Sequence, residues 1–145
     1  MPVDSEVPLP RTWRPLGVRL AGAALGAALL ILCVVAWVAL PERITDQFTL
    51  FQRATLLLLG GLAFAAGFAL ARSRVVATEG GLTVVNGYKR RDFVWAEVLA
   101  VHLPPGAPWA MLDLADGTSC PAMGIQGSDG ARAHRAIREL RSLLG

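Results

Sequence analysis

Residues 20–40 read LAGAALGAALLILCVVAWVAL, a run of 21 residues without a charged side chain. As an α-helix that rises about 1.5 Å per residue, this run is about 31 Å long, close to the hydrocarbon thickness of a bilayer. A second uncharged run, residues 54–71, reads ATLLLLGGLAFAAGFALA and is 18 residues long. Two such runs in close succession predict a hairpin of two transmembrane helices, joined by a loop over residues 41–53.

The composition agrees with a chain that is partly dissolved in lipid. Of the 145 residues, 54% are hydrophobic and 17% are charged, and the mean hydropathy is +0.49. Soluble domains carry about 25% charged residues. So short a chain could not cover two helices that are apolar all round, which argues against a soluble protein with a buried helix pair. Two cysteines are too few for a disulfide framework or a zinc site.

Basic residues flank the two apolar runs unequally. Arg11, Arg14 and Arg19 precede the first run, and the loop 41–53 contains two arginines. Five basic residues follow the second run: Arg72, Arg74, Lys89, Arg90 and Arg91. Because Lys and Arg concentrate on the cytoplasmic side, we expect a protein of the cell (inner or plasma) membrane with both termini cytoplasmic and the loop outside. Interfacial aromatic belts are expected to include Trp13, Trp37, Phe48 and Phe51.

The first run also has features of a cleaved signal peptide, since arginines precede it. However, the apolar core of a signal peptide spans roughly 7–15 residues, and this run is longer. It also lacks a clear cleavage site at its end. A retained transmembrane helix is therefore the preferred interpretation.

Small residues recur along both runs at a spacing of four. Gly22 and Gly26 form a GxxxG pattern in the first run, and Ala63 and Gly67 repeat at the same interval in the second. Small residues let helix backbones approach closely in lipid. We expect these four residues at a helix–helix contact, either within the hairpin or between two copies of the chain. The alternative is that Ala and Gly are simply common in this chain.

The predicted organisation has three parts: a cytoplasmic tail (1–15), the hairpin (16–71) and a cytoplasmic domain (72–145). In the domain, short apolar segments alternate with Gly, Pro and Asp-Gly turns, which predicts antiparallel strands. These strands are expected over residues 75–78, 82–85, 98–103, 110–114 and 118–122. Leu99, Val101 and Leu103 are expected to share a face of the third.

The end of the domain changes to a helical period. Apolar residues at spacings of four, three and four predict an amphipathic helix over residues 131–144, with Ser128 or Asp129 as its N-cap. The charged residues 89–92 are expected to form a connection between two strands. The domain is therefore predicted to contain several antiparallel strands followed by one C-terminal helix.

Three segments of the domain resemble the small PH-like domains that are attached to membrane helices in actinobacteria. They read VVATEGGLTV (75–84), FVWAEV (93–98) and LDLADGT (112–118). Among such proteins the chain resembles the low molecular weight protein antigen 6 PH domain family, over about half of its length. The resemblance implies a small α+β PH-like fold, a bent antiparallel sheet with a C-terminal helix, and implies neither catalytic residues nor an established ligand. The Pro-rich loop 104–108 departs from the family pattern.

Few side chains are candidates for a functional site. The basic cluster Lys89, Arg90 and Arg91 is a candidate contact for anionic lipid headgroups, and the alternative is a solvated turn. Trp109, in the Pro/Gly loop, is a candidate contact for a protein partner, whereas Trp95 is expected in the core. His102 and Cys120 have the chemistry of a base and a nucleophile, but no motif brings them together.

The sequence therefore predicts a two-pass membrane protein whose PH-like domain is a non-catalytic interaction module that recognises a protein partner or anionic lipid headgroups. The alternative function is an accessory subunit of a larger membrane complex, assembled through the transmembrane hairpin. Membrane lipid is an expected partner, together with a protein or a second copy of the chain bound through the helices. No nucleic acid, metal or cofactor is expected.

Overall fold

Residues 6–145 are described by a computed structural model with two antiparallel sheets and four α-helices. The first sheet has the order β1-β2-β3-β4, formed by Arg11–Trp13, Arg74–Thr78, Gly81–Asn86 and Lys89–Val94. The second has the order β5-β6-β7, formed by Val98–His102, Trp109–Leu114 and Ser119–Gln126. The helices are α1 (Leu16–Ala39), α2 (Glu42–Thr45), α3 (Leu50–Arg72) and α4 (Ala131–Leu144). This confirms the predicted fold class.

The two long helices lie outside the core of the domain. Helices α1 and α3 have 24 and 23 residues, are apolar enough to cross a membrane, and contain no buried residue. Helix α3 begins at Leu50 because Thr49 and Gln52 form a capping box there. Arg53 donates hydrogen bonds to the carbonyls of Thr45 and Phe48. Its guanidinium also lies 5.5 Å from the centre of the Trp37 ring, so the connection between the helices is compact.

The segment before α1 belongs to the sheet of the domain. Strand β1 pairs antiparallel with β2, and Trp13 lies opposite Val75. The Trp13 side chain is 7% exposed and lies in the core, so its assignment to an interfacial belt is wrong. A three-residue strand is too short to show a period of two, which is why residues 11–13 look like part of a tail in the sequence.

The hydrophobic core lies between the two sheets and α4. Helix α4 spans residues 131–144 as predicted and buries four residues against the sheets: Ala133, Ala136, Ile137 and Leu140. Leu82, Leu112 and Leu140 are almost completely buried. Where β2 crosses β7, the chain approaches so closely that a Cβ on Gly124 would lie 2.6 Å from the Cα of Arg74. Only glycine fits at this crossing.

Two segments differ from the sequence prediction. Residues 89–92 are part of β4 and do not form a connection, because the two-residue turn Gly87–Tyr88 closes the β3–β4 hairpin directly before Lys89. Leu99 is 64% exposed. The register shift between Val98 and Ala100 in the β5–β6 pairing breaks the alternation there, and Val98 is buried in its place.

The crossing of β2 and β7 predicts different effects of alanine at two glycines. Gly124→Ala should lower the free energy of unfolding by about 1–3 kcal/mol, because the new methyl group overlaps backbone atoms that cannot rotate away. Gly80→Ala, in the open β2–β3 turn where an added Cβ meets nothing within 4 Å, should change it by less than about 0.5 kcal/mol. Chemical unfolding of the full-length protein in detergent, followed by tryptophan fluorescence, measures both. Equal stability of the two variants would contradict the close crossing.

Candidate functional site

Both long helices meet the domain on one side, which we call the helix-proximal face. It consists of three domain residues whose side chains form hydrogen bonds with the beginning of α1 or the second half of α3, and of Gly87, whose N–H binds one of them. These residues are Ser73, Gly87, Tyr88 and Asp129.

Asp129 caps α1 from the other end of the chain. Its carboxylate accepts hydrogen bonds from the backbone N–H groups of Leu16 and Gly17, at 3.0 and 2.8 Å. The N-cap residue of α1 is Pro15, which supplies no side-chain bond. A carboxylate at a helix N-terminus satisfies free donors and is favoured by the helix dipole. The sequence predicts Ser128 or Asp129 as the N-cap of α4. In the structure the N-cap of α4 is Gly130, and no side chain caps this helix.

A second contact joins the β3–β4 turn to α3. The Ser73 hydroxyl donates to the carbonyl of Ala69 at 3.0 Å and accepts from the N–H of Gly87 at 2.9 Å. The Tyr88 hydroxyl donates to the carbonyl of Ala65 at 2.8 Å. Gly87 has a φ of +61°, and a Cβ there would lie 3.2 Å from the Cβ of Ala69. The turn therefore lies along the last two turns of α3.

The Arg72 side chain occupies the space between α3 and this turn. Its guanidinium carbon lies 5.9 Å from the centre of the Phe68 ring and 5.3 Å from that of Tyr88, within the range of cation–π contacts. Among residues 6–145, no carboxylate lies within ion-pair distance of Arg72. Its nitrogen donors therefore have no anionic partner in this part of the chain.

The β1 strand is held to α4 by a shared carboxylate. Glu139 accepts a hydrogen bond from the Trp13 indole nitrogen at 2.8 Å and forms an ion pair with Arg11 at 3.2 Å. These bonds fix the chain just before it enters α1. Glu139 on α4 and Asp129 in the turn before α4 therefore both hold the beginning of the helix pair against the domain.

Residues of the predicted basic cluster point in different directions. Successive side chains alternate between the faces of a strand, so Arg90 lies opposite to Lys89 and Arg91 on β4. Arg90 forms a 2.9 Å ion pair with Asp92, and hydrogen bonds from Arg90 and then Thr83 hold the pKa of Asp92 below its usual value. Arg91 lies over the Phe93 ring at 5.0 Å. The three residues do not form one patch, and their contact with headgroups stays a prediction.

The position of β4 gives its charges a structural role. It is an edge strand of the first sheet, and charged side chains on an edge oppose pairing with another chain. The same residue types serve both this role and a headgroup contact, so the sequence alone could not distinguish them.

The other predicted contact residues lie apart from the helix-proximal face. Trp109 is the first residue of β6, half-buried opposite Gln126.

A Cβ added at Gly22, Gly26 or Gly67 would meet nothing within 4 Å, so these glycines do not lie at the contact between α1 and α3. Ala63 is exposed as well. A helix-packing role for these four residues remains a prediction that requires helices from outside this chain.

The structure keeps His102 and Cys120 in separate surroundings. His102 Nδ1 lies 3.3 Å from the Asp113 carboxylate on the surface. Cys120 is buried, which raises the pKa of its thiol, with nearby Arg91 as a smaller opposing influence. A thiol that stays protonated is a poor nucleophile.

Trp95 is half-buried against the core, and its indole nitrogen donates to the Thr78 carbonyl at 3.0 Å.

One open cleft lies at the end of the β3–β4 hairpin that is remote from α3. It has a volume of about 290 Å³, and its charged lining residues are Asp92 and Glu97. A cleft with two carboxylates and no basic side chain in its lining is unsuited to an anionic headgroup.

Among residues 6–145, no cluster of three or more His, Cys, Asp or Glu side chains suits a metal ion.

Comparison with known proteins agrees with this architecture. The family described as bacterial PH domain matches residues 72–143. The chain belongs to this family. One Mycobacterium bovis protein and two Mycobacterium tuberculosis proteins, all named only as uncharacterised, are each 38% identical over 148 residues, covering 99% of this chain and 91% of theirs. No solved structure matches the chain significantly.

The matched range of the bacterial PH domain begins at Arg72 and so omits β1. In the structure, the first strand of the sheet comes from before the helix pair, and α1 to α3 are inserted between the first and second strands. Alignment with the mycobacterial relatives covers both long helices. The contact between Asp129 and α1 could have been suspected from the sequence at the beginning of α1. Pro15, Leu16 and Gly17 offer no side chain that could cap the free N–H groups there.

Loss of the Asp129 carboxylate should weaken the junction between the PH domain and α1. Asp129→Ala should lower the free energy of unfolding by about 1–2 kcal/mol and speed amide exchange at Leu16 and Gly17, since it removes an N-cap. Asp129→Asn keeps one acceptor oxygen and should have a smaller effect. Glu79→Ala, which removes an exposed carboxylate from the β2–β3 turn, is the control. Unchanged exchange at Leu16 and Gly17 in Asp129→Ala would refute the cap.

Proposed function

We propose that this protein is a two-pass protein of the cell membrane whose PH domain is a non-catalytic interaction module, mounted in a fixed position at the cytoplasmic surface. The observation that carries the proposal is the pairing of β1 with β2, on either side of the helix pair. Because the strands that flank the helices are neighbours in one sheet, α1 begins and α3 ends at the same side of the domain. The basic residues around those two ends favour the cytoplasm for that side.

Membrane insertion is supported by the surface of the helix pair. Its large apolar side chains are exposed along both helices, for example Leu30 at 65% and Leu57 at 78%. An apolar surface of this extent on a soluble monomer would be a liability for aggregation. In a bilayer it is in contact with lipid chains.

An interaction role is supported by the way the domain is mounted. Separate hydrogen bonds to α1 and α3 fix its orientation, so the domain presents one constant surface to the lipid headgroups and to any protein on the membrane. Fixed placement raises the effective concentration of either partner, and weak contacts are then sufficient. We propose recognition of anionic headgroups or of a protein partner on this basis.

The role of accessory subunit is favoured by one observation about the helices. Gly22, Gly26 and Gly67 have open space around them, and such positions accept the close approach of other helices in lipid. A second copy of the chain or the helices of a larger complex would fill that space.

Cysteine labelling tests the proposed topology. In a Cys33→Ala, Cys120→Ala background, Gln47→Cys should react with a membrane-impermeant thiol reagent in intact cells. Ser128→Cys should react only after the cells are permeabilised, because it lies on the domain. Gln47 and Ser128 are both exposed, so accessibility within the fold does not bias the comparison. Labelling of Ser128→Cys but not Gln47→Cys in intact cells would reverse the topology and contradict the proposal.

A further inference from the structure

We propose that Arg72, held between the rings of Phe68 and Tyr88, binds the phosphate of an anionic phospholipid in the cytoplasmic leaflet, with Lys89 adding a second positive charge. This inference rests on the proposed membrane insertion and deepens the proposed recognition of anionic headgroups by naming the residues that bind the phosphate. It also separates these residues from Arg90 and Arg91, which belonged to the cluster predicted from the sequence.

The position of Tyr88 places the site at the level of the headgroups. Its hydroxyl contacts the Ala65 carbonyl, and Ala65 precedes the end of α3 by seven residues. That distance is about 10 Å along the helix. The ring therefore extends from the domain along the last two turns of α3, which in a bilayer is the boundary between headgroups and acyl chains. Tyrosine is enriched at this boundary. Tyr88 is 62% exposed and is therefore open to lipid.

The surroundings of Arg72 leave its donors free for a phosphate. Two aromatic rings hold the guanidinium, while no carboxylate within residues 6–145 pairs with it. A planar guanidinium binds two phosphate oxygens with parallel hydrogen bonds. Because the rings fix the orientation of the side chain, less conformational freedom is lost when the phosphate binds.

Charge favours a lipid with a net negative headgroup. Lys89 follows Tyr88 directly, is exposed, and has no ion pair with any carboxylate in the described part of the chain. Arg72 on the phosphate, with Lys89 next in the chain to the Tyr88 that contacts Arg72, gives an excess positive charge, which a zwitterionic lipid compensates less well than an anionic one. Arg90 is neutralised by Asp92, and Arg91 lies over Phe93, so neither adds to this site.

Lipid retention by the full-length protein tests the proposal. The protein is reconstituted in vesicles of phosphatidylcholine and phosphatidylglycerol, extracted in mild detergent, and its retained lipids are counted by native mass spectrometry. The wild type should retain phosphatidylglycerol in excess of its share of the bilayer. Arg72→Gln should lower that retention roughly tenfold, as expected when hydrogen bonds to a charged group are lost. Arg90→Gln, which removes one positive charge from the other face of β4, should retain as much as the wild type.

Two further variants separate this site from general charge attraction and from misfolding. Arg72→Lys keeps the charge but loses the planar fork, so its retention should fall between those of the wild type and Arg72→Gln. Lys89→Gln changes only an exposed side chain, should fold normally, and should lower retention by a smaller factor. Retention in Arg72→Lys equal to the wild type, or an equal loss in Arg90→Gln, would overturn the assigned site.

The remaining outcomes identify the source of the phosphate and separate this proposal from the proposed function. Soluble glycerol phosphate in excess should not release the retained lipid, and release would reassign the site to a soluble phosphate. If the wild type retains no excess of phosphatidylglycerol while cysteine labelling gives the expected topology, the lipid site is wrong and the two-pass mounting of the domain stands.

Discussion

The pairing of Arg11–Trp13 with Val75–Ala77 is the constraint on which the rest of the structure depends. Trp13 lies opposite Val75, so the chain leaves the sheet toward α1 beside the point where it returns from α3. Neighbouring strands are only about 4.8 Å apart. The helix pair therefore cannot move away from the domain without breaking the edge of the sheet, and it must begin and end on one side of it.

Two carboxylates of the C-terminal region strengthen this arrangement. Glu139 binds Trp13 and Arg11, and Asp129 caps the first turn of α1. On the other side, Ser73 and Tyr88 bind carbonyl groups of α3. Each long helix is thus joined to the domain by polar contacts in addition to the chain itself. A domain joined to its helices in this way has a fixed orientation relative to them, whereas a domain on a flexible linker would sample many.

Local patterns in the sequence predicted most of the fold. The uncharged runs predict the two helices because length and apolar composition are properties of a single segment. Glycine and Asp-Gly turns predict the hairpins, and the spacing of Ala133, Ile137 and Leu140 predicts α4. Strand β1 could not be found in this way, because three residues carry no period and their partner strand lies about 60 residues further along the chain.

The helix-proximal face was harder to predict because its contacts join distant parts of the chain. Asp129 looks like a cap for the nearest helix, and only the three-dimensional structure shows that it serves α1. The basic run 89–91 looks like one patch, but strand alternation and the ion pair with Asp92 divide it. Tyr88 carries no motif, and its contact with Ala65 follows from the length of the β3–β4 hairpin. Local patterns therefore predict the individual helices and hairpins, but they do not show which residues from distant parts of the chain come into contact.

Fixation of the domain against α3 is tested most directly by the formation of a disulfide. In a chain without Cys33 and Cys120, Ala69→Cys with Gly87→Cys places two Cβ atoms about 3.2 Å apart, a few tenths of an ångström closer than in a disulfide. Because Gly87 has a φ of +61°, Gly87→Cys alone controls for the strain of a side chain at this position. Oxidation in membranes should link this pair nearly completely, while Ala69→Cys with Gly80→Cys, at the far end of β3, should stay reduced. Equal, low yields for both pairs, with Gly87→Cys alone as stable as the wild type, would mean that the domain moves freely on its helices and would contradict a fixed domain.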